Sequence, residues 1–126
     1  MSVQIFDVLT HDYNKEVDIL NVTDTFTAAG SLSVTRDAGT YQVGMSVNWT
    51  SGATNDIALF RYRTQGGAWR TFKRETKDAA YNNVMHYEFP WTHAGGSFTM
   101  DIEVAKGSGS ADLDVLFSNI WFTRVQ

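Results

Sequence analysis

A chain of 126 residues with 43% hydrophobic and 13% aromatic side chains can close one core and lacks the bias of a disordered or low-complexity segment. Cysteine is absent, which excludes disulfides, thiolate metal sites and thiol nucleophiles. The formal net charge of −4 argues against a sequence-independent nucleic-acid binder, and no run approaches the ~18 apolar residues of a membrane-spanning helix.

The first segment, MSVQIFDVLTHDYNKEVD, has no basic start and no long apolar run, so it reads as the opening of a soluble chain made in a cytoplasm rather than a secretory signal. Strands are expected there near 3–9 and 16–22, although 1–25 also reads as an attachment arm. A short strand follows near 31–35. The next run, GTYQVGMSVNWT, alternates strictly: Tyr41, Val43, Met45, Val47 and Trp49 take one face, and Gln42, Gly44, Ser46, Asn48 and Thr50 the other. Further strands are expected near 56–64, 68–74, 83–89, 97–105 and 113–125, with Met85, Tyr87 and Phe89 inward in one and Phe98, Met100, Ile102 and Val104 inward in another. Turn residues recur about every ten positions: Asp37-Ala38-Gly39, Ser51-Gly52, Gly66-Gly67, Gly95-Gly96 and Gly107 to Ser110. Short strands at this spacing, with no helical stripe anywhere, predict an all-β, single-domain antiparallel β-sandwich of eight to ten strands over 1–126.

Two strands are apolar on both faces. LDVLFSNIWFTRV sets Leu113, Val115, Phe117 and Trp121 against Leu116, Ile120 and Phe122, and IALFRYR sets Ile57 and Leu59 against Ala58, Phe60 and Tyr62. A strand of a small antiparallel sandwich has one wet face, so two dry faces require a covering subunit, a covering segment of the same chain, or a bulge near Ser118-Asn119 that exchanges the faces. Under the first reading Tyr41, Phe60, Tyr62, Leu116, Ile120 and Phe122 line a subunit interface. Charge is also uneven. Six of the ten basic residues (Arg61, Arg63, Arg70, Lys73, Arg74 and Lys77) fall in one stretch, whereas the first 24 residues carry Asp7, Asp12, Glu16, Asp18 and Asp24 against Lys15. These are either two solvated faces or complementary patches that meet between subunits or against another protein.

The segment SLSVTRDAGTYQVGMSVNW, with its Gly39-Thr40-Tyr41 entry into a long alternating strand, resembles the globular heads related to tumour necrosis factor and the complement collagen-like recognition proteins. VLFSNIWFTRV resembles their aromatic last strand, and many phage head-decoration, head-fibre and tail-fibre tip domains are similar to this pattern. The resemblance spans about residues 26–125 and implies a ten-stranded jelly roll forming a tight homotrimer. It leaves 1–25 unaligned.

No catalytic constellation accompanies these strands. The histidines are His11, His86 and His93, with no His-x-His or His-Glu-x-x-His spacing, and His86 and His93 read as plain surface or loop residues. Asp112 and Asp114 lack the spaced pattern of a calcium loop and read as a solvated turn. Asp101 and Glu103 lie roughly 7 Å apart along one strand, as carboxylates on any solvent-facing strand do, and are not expected to work as a glycosidase pair. No enzyme, metal or cofactor is expected. The remaining candidates are aromatic: Trp69, Tyr81 and Trp91, with Asn83, suit sugar recognition, because a ring stacks on a sugar's C–H face while an amide binds hydroxyls, and Trp91, next to Pro90, is the foremost of them. The expected function is therefore a virion structural protein, a trimeric decoration or fibre-tip module on a bacteriophage head or tail. Its partners would be its own copies, the major capsid or tail protein, and a host-surface glycan. A carbohydrate-binding β-sandwich is the alternative.

Overall fold

The computed structural model describes residues 11–19, 22–76, 82–108 and 112–125, with backbone alone for 11–18. The strand expected at 3–9 and the candidate Tyr81 lie outside the described residues. Among the described residues eight strands form: β1 (His11–Ile19), β2 (Thr27–Arg36), β3 (Gly39–Ser51), β4 (Ile57–Thr64), β5 (Arg70–Glu75), β6 (Asn83–His93), β7 (Gly96–Ser108) and β8 (Leu113–Arg124). Among the described residues no helix forms, hence none long and apolar enough to cross a membrane.

The strands make two antiparallel sheets, ordered β1-β8-β3-β6 and β2-β7-β4-β5. The chain changes sheet at every connection except β4–β5, which is a hairpin. This interleaving is the double Greek key of a jelly roll, so the expected fold class is observed. The predicted boundary at Phe89 moves to His93 because β6 is an edge strand among the described residues: Pro90 sits opposite Gln42 and has no second neighbour there whose hydrogen bond it would forfeit.

Alternation places the core. Tyr41, Val43, Met45, Val47 and Trp49 of β3 face Phe98, Met100, Ile102 and Val104 of β7 and Ala58, Phe60 and Tyr62 of β4, all buried. Tyr41 also explains the Gly-Thr-Tyr entry, since its hydroxyl donates to the Asp37 carbonyl at 2.7 Å and ties the β2–β3 turn to the sheet. At the β6–β7 turn Gly95 and Gly96 have φ of 97° and 92°, which β-carbon-bearing residues rarely adopt.

Five of the six residues assigned to an interface on the two-faced strands and β3 are covered within one chain, which corrects the expected interface for those five. On β8, Phe117 lies opposite Asn48 but Val115 lies opposite Trp49, so Leu116 is an extra, bulged residue. Leu113 and Val115 before the bulge, and Ser118, Ile120 and Phe122 after it, therefore all face the core. The parity change falls about two residues before Ser118-Asn119. Of the six residues assigned to an interface, Tyr41, Phe60, Tyr62, Ile120 and Phe122 are buried between the sheets and offer nothing to a second copy. Leu116, on the bulge, keeps partial exposure.

The outward apolar residues are accommodated by glycines on neighbouring strands. Trp121 faces away from the core yet is only 5% exposed. Its indole occupies the space a Cβ at Gly44 would take, with Nε1 only 2.6 Å from that position. On the other sheet a Cβ at Gly107 would come within 2.8 Å of Ile57 Cγ2 and 3.1 Å of Leu59 Cγ. In each sheet a glycine supplies the slot in which a neighbour's outward apolar side chain lies flat.

Candidate functional site

Three surfaces remain outside the core. The first is the outer face of the β2-β7-β4-β5 sheet. Arg61 and Arg63, two residues apart on β4, point outward and meet β7: Arg61 Nε donates to Glu103 Oε1 at 2.8 Å, and Arg63 Nε to Asp101 Oδ2 at 3.0 Å. Ser31 of β2 also donates to Asp101, at 3.1 Å. The two carboxylates weighed as a hydrolytic pair are thus each engaged by a guanidinium. The β4–β5 loop is pinned to β7 by Gln65, whose Oε1 accepts from the Thr99 amide at 3.0 Å and whose Nε2 donates to the Ser97 carbonyl at 3.0 Å. That loop brings Trp69 over the arginines, with the Arg61 and Arg63 guanidiniums 4.3 and 4.5 Å from its ring. Arg61 also covers the Phe26 ring at 3.8 Å. The result is a row of planar groups, Phe26–Arg61–Trp69–Arg63, edged by polar oxygens and held by cation–π and ionic contacts.

The second surface is the outer face of the β1-β8-β3-β6 sheet. Here the small residues Gly44 and Ser46 lie between Trp121 and Asn119 of β8 and Glu88 and His86 of β6. The His86 ring lies 5.3 Å from that of Trp121, and its Nε2 is 3.8 Å from Glu88 Oε2. Val84 on this face is 59% exposed.

The third lies along the open side where β5 and β6 face one another. Phe72 and Tyr87 approach to 4.7 Å, and Tyr62 stacks on Phe72 at 6.0 Å and on Phe89 at 5.2 Å. Arg70 donates to the Tyr87 hydroxyl at 3.2 Å. Burial pushes the Tyr62 phenol above its usual pKa of 10.0; the neighbouring Tyr87 adds to this and Arg70 partly offsets it. Below pH 10 both folded and unfolded chains keep this proton. Above it the unfolded chain ionises first, so stability is lost as pH rises toward the folded pKa. Urea midpoints measured from about pH 9 to about pH 11 should fall for the wild type and fall less for Tyr62→Phe. Equal slopes for the two proteins would refute this.

The carbohydrate candidates do not form one site. Trp69 belongs to the outer row, whereas Trp91 faces inward from β6, edge-on to Phe98 at 5.5 Å. Asn83 is half-buried at the start of β6, opposite Trp49. His93, expected as a surface or loop residue, is buried: its Nε2 donates to the Gly96 carbonyl at 3.0 Å and its Nδ1 lies 3.5 Å from Trp91 Nε1. Burial of this imidazole follows from the tight β6–β7 turn between the sheets, whose carbonyl it satisfies. Arg61 and Arg63 were recognised only as part of a basic stretch, and Phe26 was not singled out. The signal available was their spacing, since arginines at i and i+2 on one strand share a face. Among the described residues no three histidine, aspartate or glutamate side chains gather as a metal site.

Neither a known family profile nor a curated protein matches the chain at the sequence level. Solved structures match its fold. A chain of infectious bursal disease virus, Gt strain, is similar with a TM-score of 0.57 at 10% identity, over 94% of this chain and 34% of the viral one. This protein therefore spans about a third of the viral chain. The CBM61 module TmCBM61, solved with β-1,4-galactotriose, is similar at a TM-score of 0.42 and 15% identity, over 86% of this chain and 70% of that one. A CBM36-1 domain of a xylanase from the Trinervitermes trinervoides hindgut metagenome gives 0.45 at 14% identity, over 89% and 87%. At 10% identity the likeness to the viral chain bears on the fold alone, and it agrees with the jelly-roll β-sandwich that the strand order defines.

Proposed function

We propose that this chain is a non-enzymatic virion structural protein, a jelly-roll decoration or fibre-tip module on the surface of a bacteriophage head or tail. In this reading it is one domain, is made in the host cytoplasm, acts as a homotrimer and docks on the major capsid or tail protein. The observation that carries the reading is the double Greek-key order, which superposes on a virus chain over 94% of this sequence. The ionic engagement of Asp101 and Glu103 agrees with a binding rather than a catalytic role. Light scattering at micromolar concentration tests assembly. The expected mass is three times the 14.1 kDa of one chain, and a clean monomer would remove the assembly claim.

A second reading, glycan binding, is favoured by the Phe26–Arg61–Trp69–Arg63 row. Trp69 is half-exposed beside fixed donors and acceptors, an arrangement that suits stacking on a sugar ring. A glycan array with wild type, Trp69→Ala and Trp91→Ala decides it. Any bound sugar should lose about tenfold or more in affinity, ~1.4 kcal/mol, with Trp69→Ala. Trp91→Ala should lower stability instead, because that ring packs on Phe98. Absence of binding to every glycan sinks this reading.

A further inference from the structure

The stretch richest in basic residues divides into two kinds of arginine. Arg61 and Arg63 are matched with Glu103 and Asp101. Arg70 and Arg74, on β5, have no carboxylate partner among the described residues: Arg70 donates to the Tyr87 hydroxyl and Arg74 to the backbone carbonyl of Lys73. They lie four residues apart on the same face of β5, roughly 13 Å by strand rise, on either side of Phe72. Arg70, Lys73 and Glu75 are exposed. β5 is also an edge strand, bonded to β4 alone among the described residues, so one rim of its backbone is open.

The opposite rim of the molecule has the opposite charge. β1 is the edge of the other sheet, bonded to β8 alone among the described residues. It lies on the β2 side of the sandwich, away from β5. Its sequence, HDYNKEVDI, holds Asp12, Glu16 and Asp18 against Lys15, whereas that of β5, RTFKRE, holds Arg70, Lys73 and Arg74 against Glu75.

Open strand edges invite pairing, and charge on the edge decides with what. Two β5 edges repel each other, as do two β1 edges, while β5 against β1 places opposite charges across the new contact. We infer that β5 is a docking edge for the β1 edge of a second copy of this chain. Such a contact is head-to-tail, because donor and acceptor edges lie on opposite sides of the sandwich. Head-to-tail contacts repeat into a ring when the rotation closes. The inference rests on the homotrimer reading above and names its interface.

Charge reversal tests it by light scattering of the full chain, with thermal melts to check folding. Arg70→Glu/Arg74→Glu should fold and shift from trimer to monomer mass, and Asp12→Lys/Asp18→Lys should do the same. Joining all four substitutions in one chain swaps the signs of both edges and should restore the trimer. Raising salt from about 50 to about 500 mM should weaken the wild-type assembly, since exposed charge pairs are screened. If Arg70→Glu/Arg74→Glu keeps the wild-type trimer mass, this contact is wrong and the trimer stands. The contact is also wrong if the four-fold variant stays monomeric. A wild type that is itself monomeric overturns the trimer and this interface together.

Discussion

Phe122→Ala is expected to lower the stability of the single chain by about 3–5 kcal/mol, the cost of removing a buried aromatic ring and leaving a cavity. The ring is 2% exposed and lies in a stack, 4.1 Å from Tyr41 on one side and 4.3 Å from Phe98 on the other, with His93 edge-on at 5.6 Å. It joins β3, β7 and β8 across both sheets, so its loss is felt by the whole sandwich. For a domain of this size the melting temperature should fall by roughly 12–20 °C. The measurement also separates core from interface. A core residue lowers the melting temperature by the same amount at every protein concentration. A residue whose partner is another subunit would instead leave a well-folded monomer whose wild-type parent melts in a concentration-dependent way.

Gly44→Ala should cost about 2–3 kcal/mol, far above the small effect of glycine-to-alanine on an open strand, because the new methyl overlaps the Trp121 indole. Trp121 cannot simply swing out, since it is almost fully buried and flanked by His86. The pair should therefore behave non-additively: in a Trp121→Ala background, Gly44→Ala should be nearly neutral or stabilising. Denaturant midpoints of the two single variants and the double variant give the coupling energy, expected at ~2 kcal/mol. Additive costs would mean that the indole does not occupy the glycine slot.

Much of the fold was legible along the chain. The period-two pattern of 41–49 and 98–104 named core residues that are all buried, and seven of the eight strands lie close to their expected spans. β1 is the exception, at His11–Ile19 instead of 16–22, because HDYNKEVDI is too polar to reveal a strand by hydrophobic alternation. Its strand character comes from pairing with β8. The candidate site was less legible. Trp69, Asn83 and Trp91 are near in sequence, yet the topology sends Trp69 to the outer face of one sheet and Trp91 to the inner face of the other.

Composition and alternation by themselves determined the class, the turns and most of the core, because a strand's two faces are a local property set by successive Cβ directions. Tertiary structure alone decided the rest. The bulge at Leu116 exists only relative to β3, the slots at Gly44 and Gly107 only relative to Trp121 and to Ile57 and Leu59, and the pairing of Arg61 and Arg63 only relative to β7. Each is a relation between strands distant in sequence, so it becomes visible only once register places one against the other. That is why most side chains that read as surplus grease, Ile120 and Phe122 among them, are enclosed by their own chain, and why the two arginines without a carboxylate partner among the described residues mark an edge.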